Sequence, residues 1–205
     1  MGKVYVGAID CSFNFCGCAL LRRTKRNAPL VIETTRLIKN PATSKKSSLM
    51  DLDRACILYS GVKSFMDRLM ACPGAARAFA FEVPGGSQSQ RAAACLGMAK
   101  GVIASVLSQQ LFEDIPEYYW MRVPVMPSEV HKKATGRLKA TKEEIMNYVL
   151  QRYPRQIMIS NKKYAVYHSV PGEASLVERY TKSDFEHIAD AIVIAEIAYD
   201  KMEVK

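Results

Sequence analysis

Three stretches near the start of the chain have strand length and strand character. VYVGAID (residues 4–10) is β-branched and aromatic and ends on an acid, and runs at 15–21 and 30–38 follow. Turn-prone Asn14 separates the first two, and Asn27 and Pro29 precede the third. Gly17 marks a point in the second run where another segment packs closely. An antiparallel opening meander is predicted, with Arg22, Arg23, Lys25 and Arg26 at one hairpin tip.

The period then changes. Leu49, Leu52, Cys56, Tyr59, Val62, Met66 and Leu69 recur every three or four residues, which predicts an amphipathic helix of about six turns. Pro73 and Gly74 stop it. RAFAFEV (77–83) is apolar except for Glu82 and reads as a buried central strand. Residues 88–110 predict a helix with an unusually smooth face of Ala93, Gly97, Gly101 and Ala104. A strand over 118–126 ends at Pro127, and a helix over 141–153 opens with Thr141 and Glu144 spaced as a capping box. From 154 to 183 the pattern is weak, with strand character over 164–170 and a turn at Pro171 and Gly172. An Ala- and Ile-rich helix over 184–201 closes the chain. This order predicts an α/β fold: a mixed five-stranded sheet, antiparallel meander then parallel strands, flanked by helices. It fits a single domain over 1–205 with an insertion at about 154–183.

Composition narrows the class. Of 205 residues 49% are hydrophobic and 24% charged, which excludes a disordered chain. A chain of this length buries roughly 70% of its unfolded surface, enough for a core without disulfides. Net charge is +9, from 29 basic and 20 acidic residues, a field that draws polyanions. The basic residues concentrate at 22–26 and again at Lys132, Lys133, Arg137, Lys139 and Lys142. Either run alone reads as a solvated face; the two together favour nucleic acid. The start, MGKVYVGAID, lacks a long apolar core, and no stretch reaches the roughly 18 uncharged apolar residues of a membrane span. A cytoplasmic protein with no membrane partner and reduced cysteines is therefore expected. Cys11, Cys16 and Cys18 match no zinc spacing and read as small buried hydrophobes.

Three carboxylates stand among apolar residues: Asp10 at the end of the first strand, Glu82 in the central strand, and Asp190 within HIADAIVIAEIA. A buried lone carboxylate costs several kcal/mol unless it is paired, protonated or bound to a cation. Each has a plain structural reading: a turn cap, an arginine pair, a surface position on the last helix. Their conjunction predicts a shared hard cation, Mg²⁺, which prefers carboxylate oxygens. Two such ions about 4 Å apart can clamp a phosphodiester. His187 shares a helix face with Asp190 and is a candidate for a metal or proton role. Ser183 and Glu186 form a capping-box pattern, which gives Glu186 a structural reading.

These residues resemble the RuvC-type Holliday junction resolvases of the RNase H-like superfamily. VGAIDCS is similar to that family's first acidic strand, AFEVPGGSQSQRAAACLGMAKG to its second acidic motif and following helix, and HIADAIVIAEIAY to its final motif. VHKKATGRLKATKEE is similar to its basic segment, whose lysine falls on Lys142. The resemblance implies a homodimer that resolves four-way and other branched DNA by paired nicks, leaving 5′-phosphate and 3′-hydroxyl ends. It implies Asp10, Glu82, His187 and Asp190 as catalytic ligands of two Mg²⁺, with Mn²⁺ able to substitute. It further implies an earlier basic position at His131 or Lys132, and with the charge clustering it makes Lys132, Lys133, Arg137, Lys139 and Lys142 the expected DNA contacts. The smooth helix after Glu82 is the candidate dimer contact.

Two features depart from that pattern. Gly85 stands where the family carries a wedging aromatic, and the insertion before the last helix is longer than usual, which suits a bacteriophage or otherwise divergent member. Rival readings are another RNase H-like nuclease acting on RNA–DNA hybrids or flaps, an actin-like phosphotransferase, and a non-catalytic junction-binding protein. The second needs a further glycine-rich phosphate loop, and the third is disfavoured by the intact acidic positions.

Overall fold

In the first strands, side chains alternate between two packed faces, as a sheet covered on both sides requires. A computed structural model describes residues 3–25, 28–41, 48–72, 76–83, 89–111, 120–168 and 177–203. Strands β1 (Val4–Cys11), β2 (Phe15–Arg23) and β3 (Val31–Lys39) form the predicted antiparallel meander. Strand β4 (Ala76–Glu82) joins β1 in parallel, and β5 (Trp120–Val125) joins β4 in parallel. The sheet order is β3-β2-β1-β4-β5.

Helices α1 (Ser48–Ala71) and α2 (Gln90–Leu111) cover one face, over Tyr5, Ile9, Cys16, Cys18, Leu20 and Phe79. Helix α5 (Lys182–Glu203) covers the other, joined by α3 (Pro127–Thr135) and α4 (Lys142–Arg152). On that second face the small side chains Ala8, Ala19, Ala78 and Ala80 of the sheet share one buried cluster with Ala191, Ala195 and Ala198 of α5. Small residues on both sides let the helix axis come close to the sheet. The buried carboxylate of Glu196 is satisfied by the hydroxyls of Tyr148 (2.6 Å) and Tyr153 (2.8 Å) and by Arg152, locking α4 to α5.

Several expectations need correction. The core face of α1 is Leu58, Val62, Phe65, Met66 and Leu69, whereas Leu52 and Cys56 are exposed. Helix α3 was not anticipated: Pro127 opens it as a first-turn proline, and Gly136 ends it in the left-handed region. The start of α5 is capped by Thr181, whose hydroxyl accepts from the Asp184 N–H at 3.3 Å, so Ser183 and Glu186 are not its capping box. The Thr141–Glu144 box of α4 forms as predicted.

The expectation that no segment reaches spanning length also changes. Residues Gln90–Gln109 are long and apolar enough to cross a membrane by length and composition. Ala99, Ile103, Val106 and Leu107 of that helix are nevertheless buried in the domain core, and the rest of it is mostly exposed.

The weakly patterned insertion contains a second, antiparallel sheet of β6 (Ile157–Ser160), β7 (Lys163–Tyr167) and β8 (Val177–Tyr180), in that order. Three side chains fasten it to β3, among them Tyr180, whose hydroxyl lies 2.9 Å from Thr35 Oγ1. The Gln156 amide exchanges two 2.8 Å hydrogen bonds with the Ile32 backbone, and His168 Nε2 accepts from the Thr35 N–H at 3.2 Å. Burial pushes the His168 pKa down, which keeps the ring able to accept. Arg26, Pro73, Gly74, Gly85, Pro171 and Gly172, on which parts of the sequence reading rest, lie outside the described residues.

Candidate active site

The parallel pairing of β1 and β4 brings two of the three predicted carboxylates together. Ile9 is in register with Phe81, so Asp10 and Glu82 occupy the next position on neighbouring strands. Both continue the face of Ala8 and Ala80, because side chains alternate with period two. Helix α5 crosses that face. Asp10 is also in register with Gly17 of β2, and a Cβ on Gly17 would meet the His187 carbonyl oxygen at 2.1 Å. The close packing expected at Gly17 is this crossing, and it delivers His187 and Asp190 to Asp10.

His187 Nδ1 lies 3.1 Å from Asp10 Oδ2, and its ring stacks on Phe15 with centroids 5.1 Å apart. Asp190 is buried, with Oδ2 bonded to the Lys142 ammonium. Its other oxygen, Oδ1, has no hydrogen-bond partner among the described residues. Lys142 reaches the site from the first position of α4, oriented by the Thr141 cap.

Electrostatics divide the acids. Burial and the neighbouring negative charge of Asp10 push the Glu82 pKa up to about 8. Burial and Asp10 likewise push Asp190 up to about 6, against the pull of Lys142. Burial also disfavours ionised Asp10, but hydrogen bonds from His187 and Glu82 outweigh it and hold Asp10 below its ordinary value. Burial opposes the charge on Lys142, yet Asp190, Asp10 and Glu82 together raise its pKa. Glu82 thus carries a proton that it shares with ionised Asp10, and Lys142 neutralises Asp190.

Among the described residues no three acidic, imidazole or thiol groups are gathered closely enough to hold a metal as they stand. A proton and an ammonium fill the positive positions. The donor set nevertheless fits a hard divalent cation: three carboxylates, one imidazole and a buried carboxylate oxygen with no partner.

The basic positions behave differently from one another. Lys142 lies within the acidic cluster, Lys133 pairs with Asp200 at 2.7 Å, and Arg137 pairs with Glu144. Lys132 and Lys139 are exposed. The sequence reading did not single out Phe15, and its only signal was its place at the head of β2, two residues before Gly17.

A mixed sheet in the order β3-β2-β1-β4-β5, covered by helices on both faces, defines an α/β domain with an RNase H-like fold. Its fold is that of the RuvC-type resolvases. The structure of Thermus thermophilus RuvC in complex with a Holliday junction superposes with a TM-score of 0.61 at 17% identity, covering 97% of this chain and 96% of that one. A second Thermus thermophilus RuvC structure gives 0.60 at 17% identity with the same coverage. The yeast mitochondrial Holliday junction resolvase Ydc2 gives 0.53 at 10% identity, covering 93% of this chain and 76% of that one. No protein-family model matches the sequence, and neither does any curated protein.

Proposed function

We propose that this protein is a Mg²⁺-dependent, structure-selective endonuclease that resolves Holliday junctions and other branched DNA by paired nicks. The observation that carries this reading is the convergence of Asp10, Glu82, His187, Asp190 and Lys142 on one face at the crossing of β1, β4 and α5. The fold shared with junction resolvases supports the choice of substrate.

Asp10, Glu82, Asp190 and His187 would hold two divalent ions. When bound, such ions supply Lewis acidity toward a phosphodiester and lower the pKa of bound water. The protein's own groups do the rest. As a ligand Glu82 would have to be ionised, and Asp10 orients the His187 imidazole through Nδ1. With Asp190 engaged as a ligand, the Lys142 ammonium would be free to reach a DNA phosphate, where a point charge offsets negative charge without fixed geometry. Phe15 fixes the plane of the His187 ring.

Two opposed nicks need two sites, and we infer a homodimer through α2. Its exposed face includes Gly97 and Gly101, with no atom within 4 Å of either Cβ position among the described residues. The helix is apolar yet mostly uncovered, as a self-association surface would be.

The deciding experiment incubates the protein with Mg²⁺ and a synthetic four-way junction, a flap, an RNA–DNA hybrid and a linear duplex. Symmetric nicks with 5′-phosphate ends on the junction are expected. Preferential cutting of the hybrid or the flap would assign it to another RNase H-like activity. Binding to the junction with no cleavage of any substrate would make it a non-catalytic junction binder.

A further inference from the structure

The β6–β7 hairpin ends in a two-residue turn, with Ser160 paired to Lys163. Asn161 and Lys162 both have positive φ, 50° and 60°. A turn of this kind matches the right-handed twist of the strands and holds a short hairpin rigid. The hairpin packs against the first turns of α5. Tyr164 pairs with Tyr180, the last residue of β8, and Thr181 immediately caps α5. The Tyr164 ring stacks on Phe185 of α5 at 4.4 Å, two residues before His187. The tip therefore stands at the end of α5 that carries His187.

This tip has an unusual surface. Met158 is 54% and Ile159 58% exposed, and successive strand residues point to opposite faces, so two large apolar side chains flank the hairpin. Lys162 and Lys163 are exposed at the turn, and among the described residues neither has an ion-pair partner. Residues 155–168 contain Arg155, Lys162 and Lys163 and no acid.

We propose that the β6–β7 hairpin is a branch-recognition element, resting on the nuclease reading above. Lys162 and Lys163 contact phosphates, while Met158 and Ile159 pack against bases left unstacked where the duplex arms part. A continuous duplex shows its neighbours mainly phosphates and groove edges, on which an apolar side chain gains little. An interrupted stack exposes base faces that apolar side chains cover. The all-basic charge of the tip favours a polyanion over an acidic or neutral protein surface.

The test measures binding by fluorescence anisotropy in EDTA, to a four-way junction and to a linear duplex of the same arm sequence. A 2-aminopurine beside the branch reports base exposure. The double variant Met158→Ser/Ile159→Ser should lose about tenfold in junction affinity, keep parental duplex affinity and lose the 2-aminopurine response. Lys162→Ala/Lys163→Ala should weaken both ligands and flatten the salt slope by about two. Met158→Leu/Ile159→Leu should restore the junction preference, which separates lost contact from lost folding. Parental junction affinity in the serine variant, or an equal loss on duplex, overturns the hairpin's role. A parent that shows no junction preference at all overturns the junction-resolving reading too, so the two failures are distinguishable.

Discussion

Gly17 and His187 meet backbone to backbone: a Cβ on the glycine would lie 2.1 Å from the histidine carbonyl oxygen and 2.5 Å from its carbonyl carbon. No rotamer change relieves a clash with backbone. Gly17→Ala must therefore lift α5 from β2 at the level of Asp10, its register partner. Overpacking of this kind costs roughly 1–3 kcal/mol. The melting temperature should fall by several degrees and junction cleavage at least tenfold, with junction binding less affected. Parental cleavage by Gly17→Ala would show that the crossing does not set the site.

Asp10→Asn, Glu82→Gln and Asp190→Asn should each abolish cleavage while leaving junction binding intact, because they remove ligands and not phosphate contacts. Mg²⁺ should raise the melting temperature of the parent but not of these variants, since only a folded site binds the ion. Full nicking by Asp10→Asn would refute the site assignment.

Glu82 links stability to pH in the metal-free protein. Its folded pKa of about 8 lies above the ordinary value of 4.5 that it regains on unfolding. Between those values the folded state holds the extra proton. The stabilisation is complete below about pH 4.5 and is lost as pH rises through 8. Glu82→Gln removes this dependence. Its melting temperature in EDTA, relative to the parent, should climb from pH 5 to pH 8.5. A difference that stays constant across this range would mean Glu82 is ionised when folded.

Lys142→Ala leaves the buried Asp190 carboxylate without its ammonium. Thermal unfolding in EDTA at neutral pH should show a loss of stability that Mg²⁺ restores, because a cation takes the vacated positive position. If six to eight phosphates are contacted, parental junction affinity falls with salt at a log–log slope of roughly −5 to −7. Lys142→Ala should flatten that slope by about one. An unchanged slope would confine Lys142 to the acidic cluster.

His187 is tested by contrast. His187→Asp should retain cleavage, since a carboxylate three residues before Asp190 occupies the same helix face. His187→Ala should lose turnover rather than junction affinity and recover in part with Mn²⁺, which binds the remaining ligands more tightly than Mg²⁺. Parental activity in His187→Ala with none in His187→Asp would assign the histidine a structural role and leave Glu186 as the next candidate.

The sequence alone determined the five-stranded sheet, the long helices and three acids, Asp10, Glu82 and Asp190, that the fold brings to one face, but not the buried Glu33, Asp51 or Glu196. Alternation and 3.6-residue periods are local signals, and a carboxylate among aliphatic residues is conspicuous wherever it folds. Strand β7 was legible in the run at 164–170, whereas helix α3 and the strands β6 and β8 escaped: nine residues make only about two and a half helical turns, and four-residue strands show too few alternations. Only the tertiary structure decided that Lys142, legible as one more basic residue, sits on Asp190, 48 positions away. It also decided which acid keeps the proton. Asp10 and Glu82 are chemically similar side chains on adjacent strands, and their pKa values part because His187 reaches Asp10 across 177 positions of sequence. Charge pairing in a buried site depends on distances that the fold sets, and composition along the chain holds no record of them.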